Sequence, residues 1–116
     1  MEPGSTTQVQ GATPAAVCPH FHQAIELIGK RWTGAIVSAL TERPMRYAEL
    51  GKAVPGLSDR LLSQRLRELE EEGLVARIVE AGTPVRVTYS LTKKGLELDP
   101  ALRELKAWAK RWKKTA

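Results

Sequence analysis

Six polar residues crowd one short stretch of this chain: Ser58, Asp59, Arg60, Ser63, Gln64 and Arg67, interleaved with Leu61, Leu62, Leu66 and Leu69. A guanidinium fork donates two parallel hydrogen bonds to guanine, and a glutamine amide matches the donor–acceptor edge of adenine. Serine hydroxyls and the free N–H groups of a helix start suit phosphate oxygens. Further on, Arg86 is a lone cation beside a Gly-Pro turn, placed to meet a phosphate or a minor groove. Cys18 is the single thiol and cannot form a disulfide within one chain. His20 and His22 are two apart, which on a helix turns them away from each other. No thiol or carboxylate cluster completes a metal site, and neither a Gly-rich phosphate loop nor a nucleophile elbow is present. No metal, no cofactor and no catalytic residue are therefore expected, and the chain does not read as an enzyme.

The elements that must hold these side chains follow from periodicity and punctuation. Residues 1–17, rich in Pro, Gly, Ser and Thr, have little to bury and predict a disordered arm. Order is expected from Cys18-Pro19, since proline is tolerated in a first helical turn. Phe21, Ile25 and Ile28 recur at helical spacing. Gly29 marks a break, and a second helix is predicted over residues 31–40, with Trp32, Ile36 and Leu40 on one side. Met45, Arg46 and Tyr47 suggest a short strand and residues 47–54 a short helix, closed by the turn Pro55-Gly56-Leu57. Ser58 then stands as an N-cap for a helix reaching about Glu72, with Leu62, Leu66 and Leu69 as its buried stripe. Gly73 is placed to end it in a left-handed conformation. Residues 74–80 and 85–91 read as strands around a loop at 81–84. In the second, Val87, Tyr89 and Leu91 point one way while Arg86, Thr88 and Ser90 point the other. Thr92 caps a further helix, and Gly95 and Pro100 precede the last.

With 116 residues the chain fits one domain. No apolar run approaches the ~18–20 residues that span a bilayer, and no basic-then-apolar leader is visible, so a cytoplasmic location without membrane contact is expected. The formal net charge is +5, which suits a polyanionic partner. Its distribution is uneven. Arg103, Lys106, Lys110, Arg111, Lys113 and Lys114 face only Glu104 at the C-terminal end, whereas residues 1–102 hold 12 cations and 12 acids. Recognition in the 58–86 region must therefore depend on a few placed residues.

The predicted order is mainly α with a small β-hairpin wing, the layout of a winged helix-turn-helix. Two helices joined by a tight turn set the second in the major groove with its first residues on base edges. A solvated face would explain an Arg/Glu-rich helix on its own; the preceding helix, the turn and the hairpin favour the DNA-reading arrangement. Glu68, Glu70, Glu71 and Glu72 lie at the far end, are unfavourable there for the helix dipole, and would have to point away from DNA.

Several ordered motifs over residues 18–113 resemble one family. They are Cys18-Pro19, Ile28-Gly29-Lys30-Arg31-Trp32, Arg46-Tyr47-Ala48-Glu49-Leu50, Pro55-Gly56-Leu57-Ser58, the run from Leu66 to Val75, and Val87-Thr88-Tyr89-Ser90-Leu91-Thr92 with Gly95. The pattern is similar to the HxlR-type bacterial transcription regulators, which are MarR-like in architecture. The resemblance implies a homodimer that binds double-stranded DNA, with residues 18–116 as one domain whose first and last helices pair the subunits. Phe21, Leu102, Leu105, Trp108 and Trp112 are the expected dimerisation residues. Independently, two tryptophans and two leucines are much apolar surface for a terminal helix to leave wet. The resemblance also implies a redox or electrophile sensor at Cys18; a helix start favours a thiolate there. A small-molecule or electrophile effector would then act on the protein. The competing reading is a winged-helix protein–protein adaptor without sequence-specific DNA binding, which would lack a steep salt dependence.

Overall fold

The computed structural model describes residues 18–113; the arm expected over residues 1–17, and Lys114, lie outside the described residues. Six helices and three strands are present among them: α1 (Pro19–Ile28), α2 (Thr33–Glu42), β1 (Met45–Arg46), α3 (Tyr47–Ala53), α4 (Asp59–Glu71), β2 (Val75–Glu80), β3 (Arg86–Leu91), α5 (Lys93–Leu96) and α6 (Asp99–Arg111). This is the expected winged helix-turn-helix order. None of these helices is long and apolar enough to cross a membrane.

Two compact units meet in sequence between Lys30 and Arg31. The first contains α1, which starts with proline in its first turn and buries no residue of its own. Phe21 and Ile25 are 65% and 51% exposed.

The second unit holds the core: Ile36, Val37 and Leu40 of α2, Leu50 of α3, Leu62, Leu66 and Leu69 of α4, then Leu74, Val75, Leu91 and Leu102. The leucine stripe of α4 is thus the buried one, as its i, i+4, i+7 spacing requires. The second helix begins two residues later than the predicted 31–40. Trp32 is its N-cap and takes a left-handed conformation, φ 78°, which is costly for a bulky residue. The Trp32 ring reaches the helix-turn-helix turn: a Cβ added to Gly56 would lie 3.5 Å from its Cη2. Gly56 itself has φ 90°, a conformation glycine adopts without strain.

The hairpin predicted from alternation is the larger part of a three-stranded antiparallel sheet of order β1-β3-β2. Met45 pairs with Tyr89 and Arg46 with Thr88, tying the start of α3 to the wing. In β2 and β3, Val75 opposes Leu91, Val79 opposes Val87 and Glu80 opposes Arg86. The inward set Val87, Tyr89 and Leu91 is buried only at Leu91; Val87 and Tyr89 are half-buried, as are Thr88 and Ser90, because the hairpin runs out beyond the core.

Three caps hold α4 and the sheet together. Ser58 Oγ accepts from the Leu61 N–H at 3.2 Å. Gly73 ends the helix at φ 78°. Thr92 Oγ1 donates to the Gly73 carbonyl at 2.6 Å and accepts from the Gly95 N–H at 3.2 Å. Lys94 Nζ donates to the Glu72 carbonyl at 2.6 Å. That ammonium at the C-terminus of α4 offsets the dipole penalty that its terminal carboxylates bring.

Candidate nucleic-acid interface

Helix α4 presents one polar stripe to solvent. Arg60, Ser63, Gln64, Arg67, Glu68 and Glu71 line an open depression of about 550 Å³ along it, the i, i+3, i+4, i+7, i+8, i+11 face of the helix. The leucines occupy the opposite side, so core packing fixes which residues this stripe exposes. Ser58 and Asp59 stand at its N-terminal end, both exposed.

The four carboxylates at the far end of α4 do not share one face. Glu68 and Glu71 share the stripe with Arg60 and Arg67, while Glu70 and Glu72 lie outside it. A 100° step per residue puts positions eight and eleven after Arg60 back on its face, whatever their charge.

Tyr47, at the start of α3, spans the turn to α4. Its hydroxyl donates to the Asp59 carbonyl at 2.5 Å and lies 3.0 Å from Ser63 Oγ. With the phenol proton committed to the carbonyl, the serine is the donor in the second bond. Ser63 is thus left with acceptor capacity only. Ser58, whose oxygen takes the Leu61 N–H, keeps its own proton for an outside acceptor. Of the two serines, Ser58 is the one free to donate to a phosphate.

Residues Ala81 to Val85 form the wing loop, and Arg86 follows, exposed and opposite Glu80. Two further exposed cations belong to the same sheet, Arg77 on β2 and Arg46 on β1. Sequence reasoning had not named them as site residues. Arg77 carried a usable signal, a charge in phase with Val75 and Val79. Arg46 carried none, since only the β1–β3 pairing brings it beside the wing. Tyr47 was also missed, because its partners lie 12 and 16 residues away.

Glu49 Oε1 accepts from the Arg46 N–H at 2.8 Å, and Glu49 Oε2 lies 3.2 Å from Arg43 Nη1. The main-chain N–H of Arg46 holds this carboxyl below its ordinary range; desolvation opposes it in part, and the Arg43 guanidinium adds a further lowering.

The remaining site candidates fall in two places. Leu105 and Trp108 on α6 and its C-cap Trp112 are 56%, 54% and 71% exposed. Leu102 is only 7% exposed: it fills the chain's own core, so its surface is already used within the chain. Cys18 is exposed and is the N-cap of α1, its carbonyl accepting from the His22 N–H at 2.9 Å. Among the described residues no group of His, Cys, Asp and Glu could hold a metal ion.

The model of the HxlR-like helix-turn-helix family matches residues 27–116. The chain is 48% identical over 96 residues to YvaP of Bacillus subtilis, an uncharacterized HTH-type transcriptional regulator, covering 83% of this chain and 89% of that one. It is 42% identical to the B. subtilis transcriptional regulator YodB, over 80% of this chain and 83% of that one. The structure of reduced YodB superposes with a TM-score of 0.77 at 40% identity, covering 84% of this chain and 96% of the other; YodB has also been solved after diamide treatment and with quinone bound. The oxidized form of the redox regulator HypR superposes at 0.78 with 32% identity, covering 84% of this chain and the whole of that one. With a matching family model, relatives of nearly full length and a shared winged-helix architecture, the chain belongs to the HxlR-like helix-turn-helix family of transcriptional regulators.

Proposed function

We propose that this regulator works as a homodimer on a pseudo-palindromic operator. Helix α4 enters the major groove, where Arg60 and Arg67 contact guanine or phosphate and Gln64 reads adenine. Ser58, Asp59 and Ser63 flank them at the helix start, and the 81–86 wing sets Arg86 on the backbone or in the minor groove. The observation that carries this reading is the polar stripe of α4, aligned by a leucine core behind it and preceded by a short helix and a tight turn. That geometry admits base-edge contact by the first two turns of the helix.

Residues 18–116 act as one regulator domain. Phe21 on α1, Leu105 and Trp108 on α6 and its C-cap Trp112 form the dimer seam, with Leu102 anchoring α6 from beneath. Pairing places two recognition helices about 34 Å apart, one turn of DNA. A regulator of this kind works where the bacterial chromosome is, in the cytoplasm.

Cys18 supplies the response. Its thiol is exposed at a helix start, where the dipole favours the thiolate. Oxidation would join two subunits through Cys18 or form a mixed disulfide with a small thiol; an electrophile would alkylate it. That YodB has been studied with quinone and diamide, and HypR in its reduced and its oxidized form, supports the same role here.

Binding to operator duplex across a salt series tests the DNA reading. Affinity should fall steeply with salt as counterions are released. Arg60→Ala and Arg67→Ala should each weaken binding, by about 1–3 kcal/mol where a base is read. Salt-independent binding, unchanged in both variants, would point to a protein–protein adaptor.

A further inference from the structure

Gln64 does not stand alone on the reading face. Its Nε2 donates to Glu68 Oε2 at 3.4 Å. Glu68 in turn receives Arg65 Nη1 on both oxygens, at 3.1 and 3.3 Å. Arg65 Nε donates to the main-chain carbonyl of Arg31 at 3.0 Å. The Arg65 and Glu68 side chains are only 14% and 23% exposed, so this pair is better shielded than an ordinary surface ion pair.

We propose that Glu68 and Arg65 are positioning residues that fix how the Gln64 amide faces DNA, with the Arg31 carbonyl as their anchor. The proposal rests on the reading of α4 as the DNA-reading helix and goes further by assigning a base-selecting role to residues that need not touch the base.

A glutamine amide has two faces of opposite character, and without a partner it turns freely between them. A carboxylate only accepts, so the Gln64 nitrogen is the atom that faces Glu68. One N–H then remains for an outside acceptor, and Oε1 is left to receive an outside donor. Adenine offers that complement in the major groove, with N7 accepting and its amino group donating. Glu68 thus selects one orientation of the amide before DNA arrives, which removes an ordering cost from binding. Arg65 holds Glu68 by the ion pair, and Arg31 holds Arg65 by its carbonyl. An ion pair serving helix stability alone would need only the i, i+3 contact. Here the guanidinium also reaches back 34 residues to Arg31, the residue after the boundary between the two units and immediately before the left-handed Trp32. The orientation of Gln64 is therefore tied to the backbone where α1 gives way to α2.

Selection from a randomised duplex library with the full chain identifies the preferred site, and competition binding then measures the preference at each base pair. Gln64→Ala should lose about tenfold of the preference at one adenine-containing pair. Glu68→Ala should lose the same preference at the same pair, and the double variant should lose no more than either single one. Affinity of Glu68→Ala for random duplex should hold or rise, because an anion near phosphates has been removed; a general loss of folding would lower it. Glu68→Asp, which keeps the charge but withdraws the carboxylate from the amide, should repeat the loss if Glu68→Ala melts too readily to be used. The proposal is overturned if the Glu68 variants keep the wild-type preference while Gln64→Ala loses it, or if the two losses multiply. If Gln64→Ala itself keeps the preference, the proposal falls together with the reading of Gln64, while a steep salt dependence would leave the rest of the DNA interface standing.

Discussion

Replacing Trp108 by alanine gives the sharpest test of the proposed dimer. A tryptophan presents roughly 250 Å², so at 54% exposure about 135 Å² of Trp108 stays wet on each chain. A two-fold seam covers this surface on both subunits, about 270 Å² together, which at ~25 cal/mol per Å² is an upper bound of about 7 kcal/mol. Alanine keeps part of that contact and neighbouring side chains close in, so a loss of at least about 3 kcal/mol is expected, over a hundredfold in the dimer dissociation constant. Equilibrium sedimentation over a dilution series reads this directly. Trp108 lies outside the buried core, so helix content by circular dichroism should persist, and operator affinity should fall because half-sites are no longer bound together. A dimer constant within about threefold of wild type would refute the area argument and remove Trp108 from the seam.

Three further outcomes follow from particular contacts. A Cβ on Gly95 would lie 2.3 Å from the Leu74 carbonyl oxygen and 3.0 Å from Leu91 Cδ2; Gly95→Ala must displace backbone, and urea unfolding should show a loss of about 1–3 kcal/mol or more. Glu49, held below its ordinary range by the Arg46 N–H, stabilises the start of α3 fully above its unfolded value of about 4.3; that contribution disappears as the pH falls through the lower folded value. The stability gap between wild type and Glu49→Gln should therefore close on acidification below about pH 4, and a gap that widens there would contradict the assignment. Treatment with a quinone or diamide should weaken operator binding of the wild type and leave Cys18→Ser unaffected, as read by gel shift; equal loss in both would remove Cys18 as the sensor.

Most of the local structure was legible along the chain because its causes are local. The leucines of α4 recur at the helical period, Ser58 and Thr92 cap their own helices, and Gly73 ends α4. Each of these involves partners within a few residues. The same locality made the polar stripe readable: once Leu62, Leu66 and Leu69 face inward, Arg60, Gln64 and Arg67 have to face out. The same spacing returns Glu68 and Glu71 to the stripe of Arg60 and Arg67. At Trp32 the periodic apolar pattern ran two residues past the true helix start, since helical spacing carries no record of a left-handed N-cap.

The succession of elements and the identity of the exposed α4 residues are written into the chain locally, because both follow from interactions over one or two turns. Tertiary structure alone decided the rest. The pairing of β1 with β3 brings Arg46 to the wing across more than forty residues. The Tyr47 hydroxyl locks α3 to α4 and spends the Ser63 proton. The Arg65 guanidinium reaches the Arg31 carbonyl and thereby holds Glu68 against Gln64. These contacts join residues that only a closed core places side by side, and no periodicity records them.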